Sequence, residues 1–235
     1  MSKSKRQRLG QHFLKSQNIA KFIAESAGIT KKDTVLEVGT GPGILVPLLC
    51  ERAKSVVSVE ADLGLYSEAE SKFSRLTNLT LLHGDGFDSS VEFSVFVSNL
   101  PYSESRNALE WLAQKKFSRA VIMVQKEFAD KLLSMEDKAM RAISVIANHA
   151  FEIERLMSVG RNNFAPPPRV DSAILRLEQK NVLSADLVRS VNGLFSYRRK
   201  TVGNIAKKFG KEIRSDKRLE ELSGGEIIEL AKKVI

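Results

Sequence analysis

This 235-residue chain predicts an α/β fold, a mainly parallel sheet with helices on both faces, followed by a small all-helical domain. Three observations carry that reading. Short β-branched runs alternate with amphipathic stretches through the middle of the chain, which is the rhythm of βαβ units. A glycine-rich turn, Glu37-Val38-Gly39-Thr40-Gly41-Pro42-Gly43, closes the first of those runs. After Gln179 no β-pattern remains, and short amphipathic segments end the sequence.

In chain order, Thr34–Val38 is the first expected strand, with a helix from about Ile44 to Arg52. Ser55–Glu60 is the second strand, and a helix over Leu65–Phe73 follows. Leu79–His83 and Val95–Ser98 are the third and fourth strands, and Ser105–Ala113 is expected to be helical. Arg119–Val124 is apolar after its first residue, as suits a strand covered on both faces. Helices are expected over Glu127–Leu133 and Ala139–Ala150. Phe151–Val159 and Ser172–Glu178 read as antiparallel strands separated by Pro166-Pro167-Pro168. Ala185–Phe195, Thr201–Phe209 and Glu226–Val234 read as the helices of the last domain. The expected domains are residues 1–179 and 180–235.

Composition excludes several classes. With 43% hydrophobic and 28% charged residues the chain suits a globular protein. No run approaches the roughly 18 apolar residues of a membrane span. The basic start, Met1 to Arg6, lacks the apolar core of a secretion signal. The single Cys50 excludes an intramolecular disulfide and a cysteine-based zinc cluster. His83 and His149 have no metal-ligand spacing either. The expectation is a cytoplasmic monomer with no metal and no membrane partner.

The net charge of +9 is uneven. Residues 1–32 carry eight Lys or Arg against one acid, and residues 189–217 carry nine against two. The second cluster includes Arg198, Arg199, Lys200, Lys207 and Lys208. Basic patches of this kind suit a polyanion, because each phosphate contact releases counterions. A merely solvated basic surface is the plainer alternative.

Glycines at a strand end let the backbone approach a ligand and let the next helix start close to the sheet. The spacing here is Gly39-x-Gly41-x-Gly43, not the Gly-x-Gly-x-x-Gly of dinucleotide sites, and Glu37 precedes it. An acid beside the loop repels a pyrophosphate and favours a cation. S-adenosylmethionine, with a sulfonium, an ammonium and no phosphate, fits that environment. Glu60 ends the second strand, where a carboxylate can accept both ribose hydroxyls. Asp85 follows the third, placed to accept the adenine amine of the cofactor. Singly these acids would be caps or surface charges; three consecutive strand ends bearing Gly, Glu and Asp point to a cofactor site.

Asn99-Leu100-Pro101-Tyr102 follows the fourth strand. An adenine amine is a poor nucleophile because its lone pair is delocalised into the ring. The Asn99 side-chain oxygen and the Leu100 carbonyl can accept its two N–H bonds and aim the lone pair at a methyl group. Pro101 sets the turn, and Tyr102 can stack on the base. Such a site works by orientation and electrostatics, with direct transfer and no covalent enzyme intermediate. An ordinary Asn-Pro turn with a packed tyrosine is the plain alternative.

With these residues in hand, the chain resembles the ribosomal RNA adenine N6,N6-dimethyltransferases, which include the small-subunit dimethylases and the macrolide-resistance methylases. Leu9-Gly10-Gln11-His12-Phe13-Leu14 looks like the opening motif of the family, implying that His12 and Leu14 lie at the cofactor. Glu37 to Gly43, Glu60, Asp85 and Asn99 to Tyr102 follow in the family's order. Val124 to Glu127 resembles the segment after its fifth strand. Phe164-Ala165-Pro166-Pro167-Pro168-Arg169-Val170-Asp171-Ser172 fits its Phe-x-Pro-x-Pro-x-Val-Asp-Ser motif, which implies Phe164 as a second stacking face for the adenine. Arg198 to Thr201, with Asn204, looks like the start of its small helical domain.

The resemblance implies a Rossmann-like S-adenosylmethionine-dependent methyltransferase sheet. It also implies a substrate of two adjacent adenosines in the hairpin near the 3′ end of small-subunit rRNA, met within a pre-ribosomal small subunit. The short C-terminal domain and the Gln11-His12-Phe13 variant look more archaeal than bacterial. One departure is Ser103-Glu104-Ser105, where the family carries an apolar residue at position 104. Two other readings share the motifs: a DNA adenine methyltransferase, for which about 55 helical residues are a small recognition domain, and a non-catalytic assembly or transcription factor.

Overall fold

The computed structural model describes residues 12–88, 90–134 and 140–235. Nine strands are described: β1 (Phe13–Leu14), β2 (Thr34–Val38), β3 (Ser55–Glu60), β4 (Leu79–His83), β5 (Val95–Asn99), β6 (Arg119–Gln125), β7 (Phe151–Val159), β8 (Phe164–Ala165) and β9 (Ser172–Gln179). Seven of them form one sheet in the order β4-β3-β2-β5-β6-β9-β7. The pairs β3·β4, β2·β3, β2·β5 and β5·β6 are parallel, whereas β9 runs antiparallel to β6. The α/β expectation and its late antiparallel strand therefore hold. β1 and β8 form a separate two-stranded pair with Phe13 opposite Ala165 and Leu14 opposite Phe164.

The central strands are apolar because both faces are covered. Val35, Leu36, Val95, Phe96, Val97 and the run Ala120–Val124 have no exposure. From β2 the chain steps outward through β3 and β4, then returns to β5 on the other side of β2. That reversal opens a crevice at the carboxyl ends of β2 and β5, the place where open α/β sheets bind ligands.

The described α-helices are α1 (Gln17–Ser26), α2 (Val46–Arg52), α3 (Leu63–Lys72), α4 (Ser105–Leu112), α5 (Lys126–Leu133), α6 (Ala142–Ala150), α7 (Ala185–Phe195), α8 (Val202–Lys208) and α9 (Gly224–Val234). The expected start of α6 at Ala139 and the residues Leu9 to Gln11 of the opening motif lie outside the described residues. Helix α1 was not expected from the sequence, yet its determinants are local. The Ser16 hydroxyl caps it by accepting from the Ile19 amide, and Ala20, Ile23 and Ala24 bury one face.

The chain divides into two compact units. The first comprises residues up to Ser105 with 116–126 and 154–178; the second comprises 106–115, 127–153 and 179–235. The last segment of the second unit starts at Gln179, where a start at 180 was expected, and the unit also takes in most of α4, and α5 and α6. The reason is burial: α6 hides Ala142, Ile143, Val145, Ile146, Ala147 and Ala150, and its neighbours are α7 and α9.

Candidate functional site

The loop after β2 holds three glycines in the left-handed region, Gly39, Gly41 and Gly43, with φ of 84°, 55° and 75°. Sterics add a second constraint at two of them. A Cβ on Gly41 would lie 3.3 Å from the Phe13 ring, and one on Gly43 would lie 2.2 Å from the Phe73 ring. The loop is fastened to β3 by Glu60, which is 5% exposed. Its carboxylate accepts from the Gly41 amide at 2.7 Å and from the Asp62 amide at 2.9 Å.

Glu37 lies one strand away and is 1% exposed. Parallel register places it beside Ser58, whose hydroxyl donates to Glu37 Oε2 at 2.5 Å. The Thr40 and Ser58 hydroxyl oxygens are 2.6 Å apart. With the Ser58 proton committed to Glu37, Thr40 donates to Ser58. Burial pushes the Glu37 carboxyl up to about 8; the Ser58 hydrogen bond opposes this, and the nearby charge of Glu60 adds to it.

The Ser98 hydroxyl donates to the Val38 carbonyl at 2.5 Å, tying the end of β5 to the end of β2. Asn99 follows as the last residue of β5. Pro101 then starts the 3₁₀ turn Tyr102–Glu104. The Tyr102 hydroxyl is 2.7 Å from Ser172 Oγ at the start of β9, and its ring lies 5.6 Å from that of His12. Burial raises the Tyr102 pKa against the Ser172 hydrogen bond, so the phenol stays neutral. His12 Nδ1 donates to the Pro166 carbonyl at 2.9 Å, which leaves Nε2 as an acceptor in the neutral ring.

These groups share one cleft. His12, Leu14, Glu37, Gly39, Gly41, Glu60, Asn99, Leu100, Pro101 and Tyr102, all expected at the site, line about 630 Å³ of space open to solvent. Thr40 and Pro42 of the glycine-rich turn line it too, as do Ile44 and Leu45, which sequence reading had not singled out. No lysine or arginine lies among these lining residues, so the cleft disfavours a phosphate and fits a cationic ligand.

Two expected residues do not line it. Asp85 is exposed at the end of β4, and its Oδ1 accepts from the Phe87 amide at 2.9 Å. A local turn thus holds one oxygen of the carboxylate that was expected at the cofactor adenine, and the other oxygen is outside that bond. Phe164 is 1% exposed, paired with Leu14 through β8 and packed among the apolar core residues. Its ring is covered by protein and is not among the residues lining the cleft. In the second unit, Arg199, Lys200, Lys207 and Lys208 line an open groove. Arg198 is outside that lining and pairs with Glu220 at 3.8 Å.

A family model described as ribosomal RNA adenine dimethylase matches residues 2–232. The chain belongs to that family. This family member is 33% identical over 233 residues to the ribosomal RNA small subunit methyltransferase A of Thermotoga petrophila, covering 96% of this chain and 90% of the relative. It is 34% identical to a probable ribosomal RNA small subunit methyltransferase A of Methanopyrus kandleri, covering 85% and 75%. Bacterial and archaeal relatives are thus about equally similar, and the expected archaeal lean gains nothing from them. A dimethyladenosine transferase structure from Plasmodium falciparum superposes with a TM-score of 0.78 at 26% identity, covering 93% of this chain and 96% of that one. The dimethyltransferase is therefore an enzyme that methylates adenine in ribosomal RNA, and neither the DNA methyltransferase nor the non-catalytic reading is favoured.

Proposed function

We propose that the enzyme dimethylates N6 of two adjacent adenosines in the hairpin near the 3′ end of small-subunit rRNA, within a pre-ribosomal small subunit. S-adenosylmethionine would supply each methyl group from its sulfonium. The protein would act as a cytoplasmic monomer; no helix among the described residues is long and apolar enough to cross a membrane. The observation that carries this reading is the convergence of Asn99 to Tyr102 with two buried carboxyl groups, and no lysine or arginine, among the described residues that line one cleft.

Glu60 would accept the ribose hydroxyls, since each of its oxygens keeps a lone pair beyond its one backbone hydrogen bond. Glu37 would offset the positive charge of the cofactor, an interaction strengthened by burial. The glycine loop would let the cofactor approach its backbone. The Asn99 amide oxygen and the Leu100 carbonyl would accept the N6 hydrogens of the adenine, localising the nitrogen lone pair. Tyr102, held by Ser172 and flanked by His12, would stack on the ring. Asp85 and Phe164 enter this proposal only as supports, Asp85 of the turn after β4 and Phe164 of the strand pair that carries Leu14. In the second unit, Arg198, Arg199, Lys200, Lys207 and Lys208 would hold the RNA backbone.

The test is incubation of the purified enzyme with labelled S-adenosylmethionine and small subunits lacking the modification, followed by mapping of the nucleosides. Label in two adjacent dimethyladenosines is expected. Label confined to another nucleoside, or to single monomethyladenosines, would overturn the proposal.

A further inference from the structure

Three buried side chains join into one hydrogen-bonded chain that reaches the cleft wall from inside the sheet. Glu37, Ser58 and Thr40 are 1%, 0% and 4% exposed. Ser58 donates to Glu37 Oε2 at 2.5 Å, and its oxygen lies 2.6 Å from that of Thr40. Glu37 and Thr40 line the cleft, whereas Ser58 does not. Ser58 can therefore act on a bound ligand only through its two partners. Among the described residues Glu37 has no other hydrogen-bond partner, so its charged form depends on this one donor.

The chain has two orders. A neutral Glu37 donates to Ser58, and Ser58 donates to Thr40. An ionised Glu37 accepts from Ser58 and Ser58 accepts from Thr40, which leaves the Thr40 oxygen as an acceptor in the cleft wall. The second order suits a cationic ligand at both lining residues. Burial pushes the Glu37 carboxyl up to about 8, and the Ser58 hydrogen bond is the influence that opposes this. Nothing on the neighbouring elements replaces it. Strand β5 has no ionisable residue, and Glu60 on β3 raises the Glu37 value further. On α2, burial pushes the Cys50 thiol up to about 11, so it stays neutral. The other ionisable groups in the lining are His12 and Tyr102.

We propose that Ser58 is a positioning residue for cofactor binding, holding Glu37 in its charged form so that the cleft accepts a cation. The proposal rests on the reading of this cleft as an S-adenosylmethionine site. Its test is calorimetric titration of the full-length enzyme with S-adenosylmethionine across about pH 6 to 10. Affinity for the parental enzyme should rise up to about pH 8 and then level off. Ser58→Ala should carry that rise about one pH unit higher, which is about a tenfold loss of affinity at pH 7. The two affinities should meet again above the displaced rise. Ser58→Cys, with a weaker donor, should displace the rise in the same direction, and it decides the matter if the alanine variant does not fold. Ser98→Ala is the control: it removes an equally buried hydroxyl that donates to the Val38 carbonyl, and should leave the rise in place.

A loss of affinity by the same factor at every pH would reduce Ser58 to a packing residue and overturn the proposal. An equal displacement in Ser98→Ala would do the same. In a Glu37→Gln background Ser58→Ala should leave the pH profile unaltered; a further displacement there would show that Ser58 acts through another group. If Glu37→Gln flattens the profile while neither Ser58 variant moves the rise, the inference fails alone. If Glu37→Gln leaves the parental profile unaltered, or S-adenosylmethionine does not bind, the underlying reading fails too.

Discussion

Asp33 precedes β2 and Glu37 lies near its other end, and their carboxyls are displaced in opposite directions. Asp33 accepts from the Thr30 amide and hydroxyl at 2.8 and 2.9 Å, from Ser94 at 2.8 Å and from the Arg119 guanidinium at 2.9 Å. Burial opposes its ionisation, but the Ser94 and Thr30 hydrogen bonds and the Arg119 charge outweigh that, holding the carboxyl below its usual range. The same guanidinium donates to the Ala27 and Gly28 carbonyls, so the network is closed. Glu37 has one hydroxyl partner, a second acid nearby and no lining cation. The amino edge of the sheet is satisfied internally and stabilises the fold. The carboxyl edge is left incomplete, in a form that a cationic ligand would complete.

The sharpest break of that contrast is Asn99→Ala at the carboxyl edge. Methyl transfer should fall about 10²–10³-fold, the scale for losing one aligned polar group at a reacting centre. RNA affinity and melting temperature should barely change; an equal loss of RNA binding would remove Asn99 from the reaction.

Asp33→Ala should do the reverse. Unfolding in urea should show a loss of about 3 kcal/mol, because Arg119 is left without its charge partner. Cofactor affinity, measured by calorimetry on the folded protein, should be unchanged.

Glu37→Gln sharpens the comparison through pH. In the free protein Glu37 holds its proton up to about pH 8, and a cationic ligand must displace it. Affinity for S-adenosylmethionine should therefore rise as pH approaches 8 and level off above it. Glu37→Gln should flatten that rise, and an unaltered pH profile would separate the cation from Glu37. The stability signs also differ. The contribution of Glu37 is full below its ordinary value of 4.5 and is lost as pH rises through about 8. That of Asp33 is present above 3.8 and is lost as pH falls through its lowered value.

The smallest effect should come from Tyr102→Phe, which removes the Ser172 hydrogen bond. About 1 kcal/mol of stability is expected to go, read by urea denaturation. A loss of several kcal/mol would mean that the tyrosine fastens the fold and does not merely face the cleft.

Much of this carboxyl edge was legible in the sequence, for a physical reason. Glycines with positive φ, strand-end acids and the Asn99 to Tyr102 turn are local features, and they sit where the β-branched runs stop. The strands Thr34–Val38, Ser55–Glu60, Leu79–His83 and Phe151–Val159 were readable to the residue; for the first two the reason is that buried parallel strands are rich in β-branched residues. What depends on distant partners was not legible. Ser58 becomes a partner of Glu37 only through parallel register, although its place as the third-from-last residue of β3 was a usable clue once β2 and β3 were aligned. Asp85 and Phe164 were expected in the cleft from motif order, but motif order does not say which way a side chain points. A two-residue strand pair buries Phe164, and a turn engages Asp85. Helix α1 was missed although its pattern is amphipathic: Ala20, Ile23 and Ala24 bury one face, and Lys21 and Glu25 are exposed on the other, 3.8 Å apart. The grouping of α6 with the tail reflects which apolar faces meet, information that no single segment carries.

The central claim is a division of labour: the cleft performs the transfer and the basic groove recruits the RNA. Steady-state methylation of small subunits by Asn99→Ala and by a triple variant with Arg198, Arg199 and Lys200 each replaced by Ala tests it directly. The account predicts that the triple variant raises KM and regains the parental rate at saturating subunits, while Asn99→Ala keeps its low kcat at every concentration. A triple variant with an unaltered KM and a low kcat, or an Asn99→Ala enzyme restored by saturation, would contradict it.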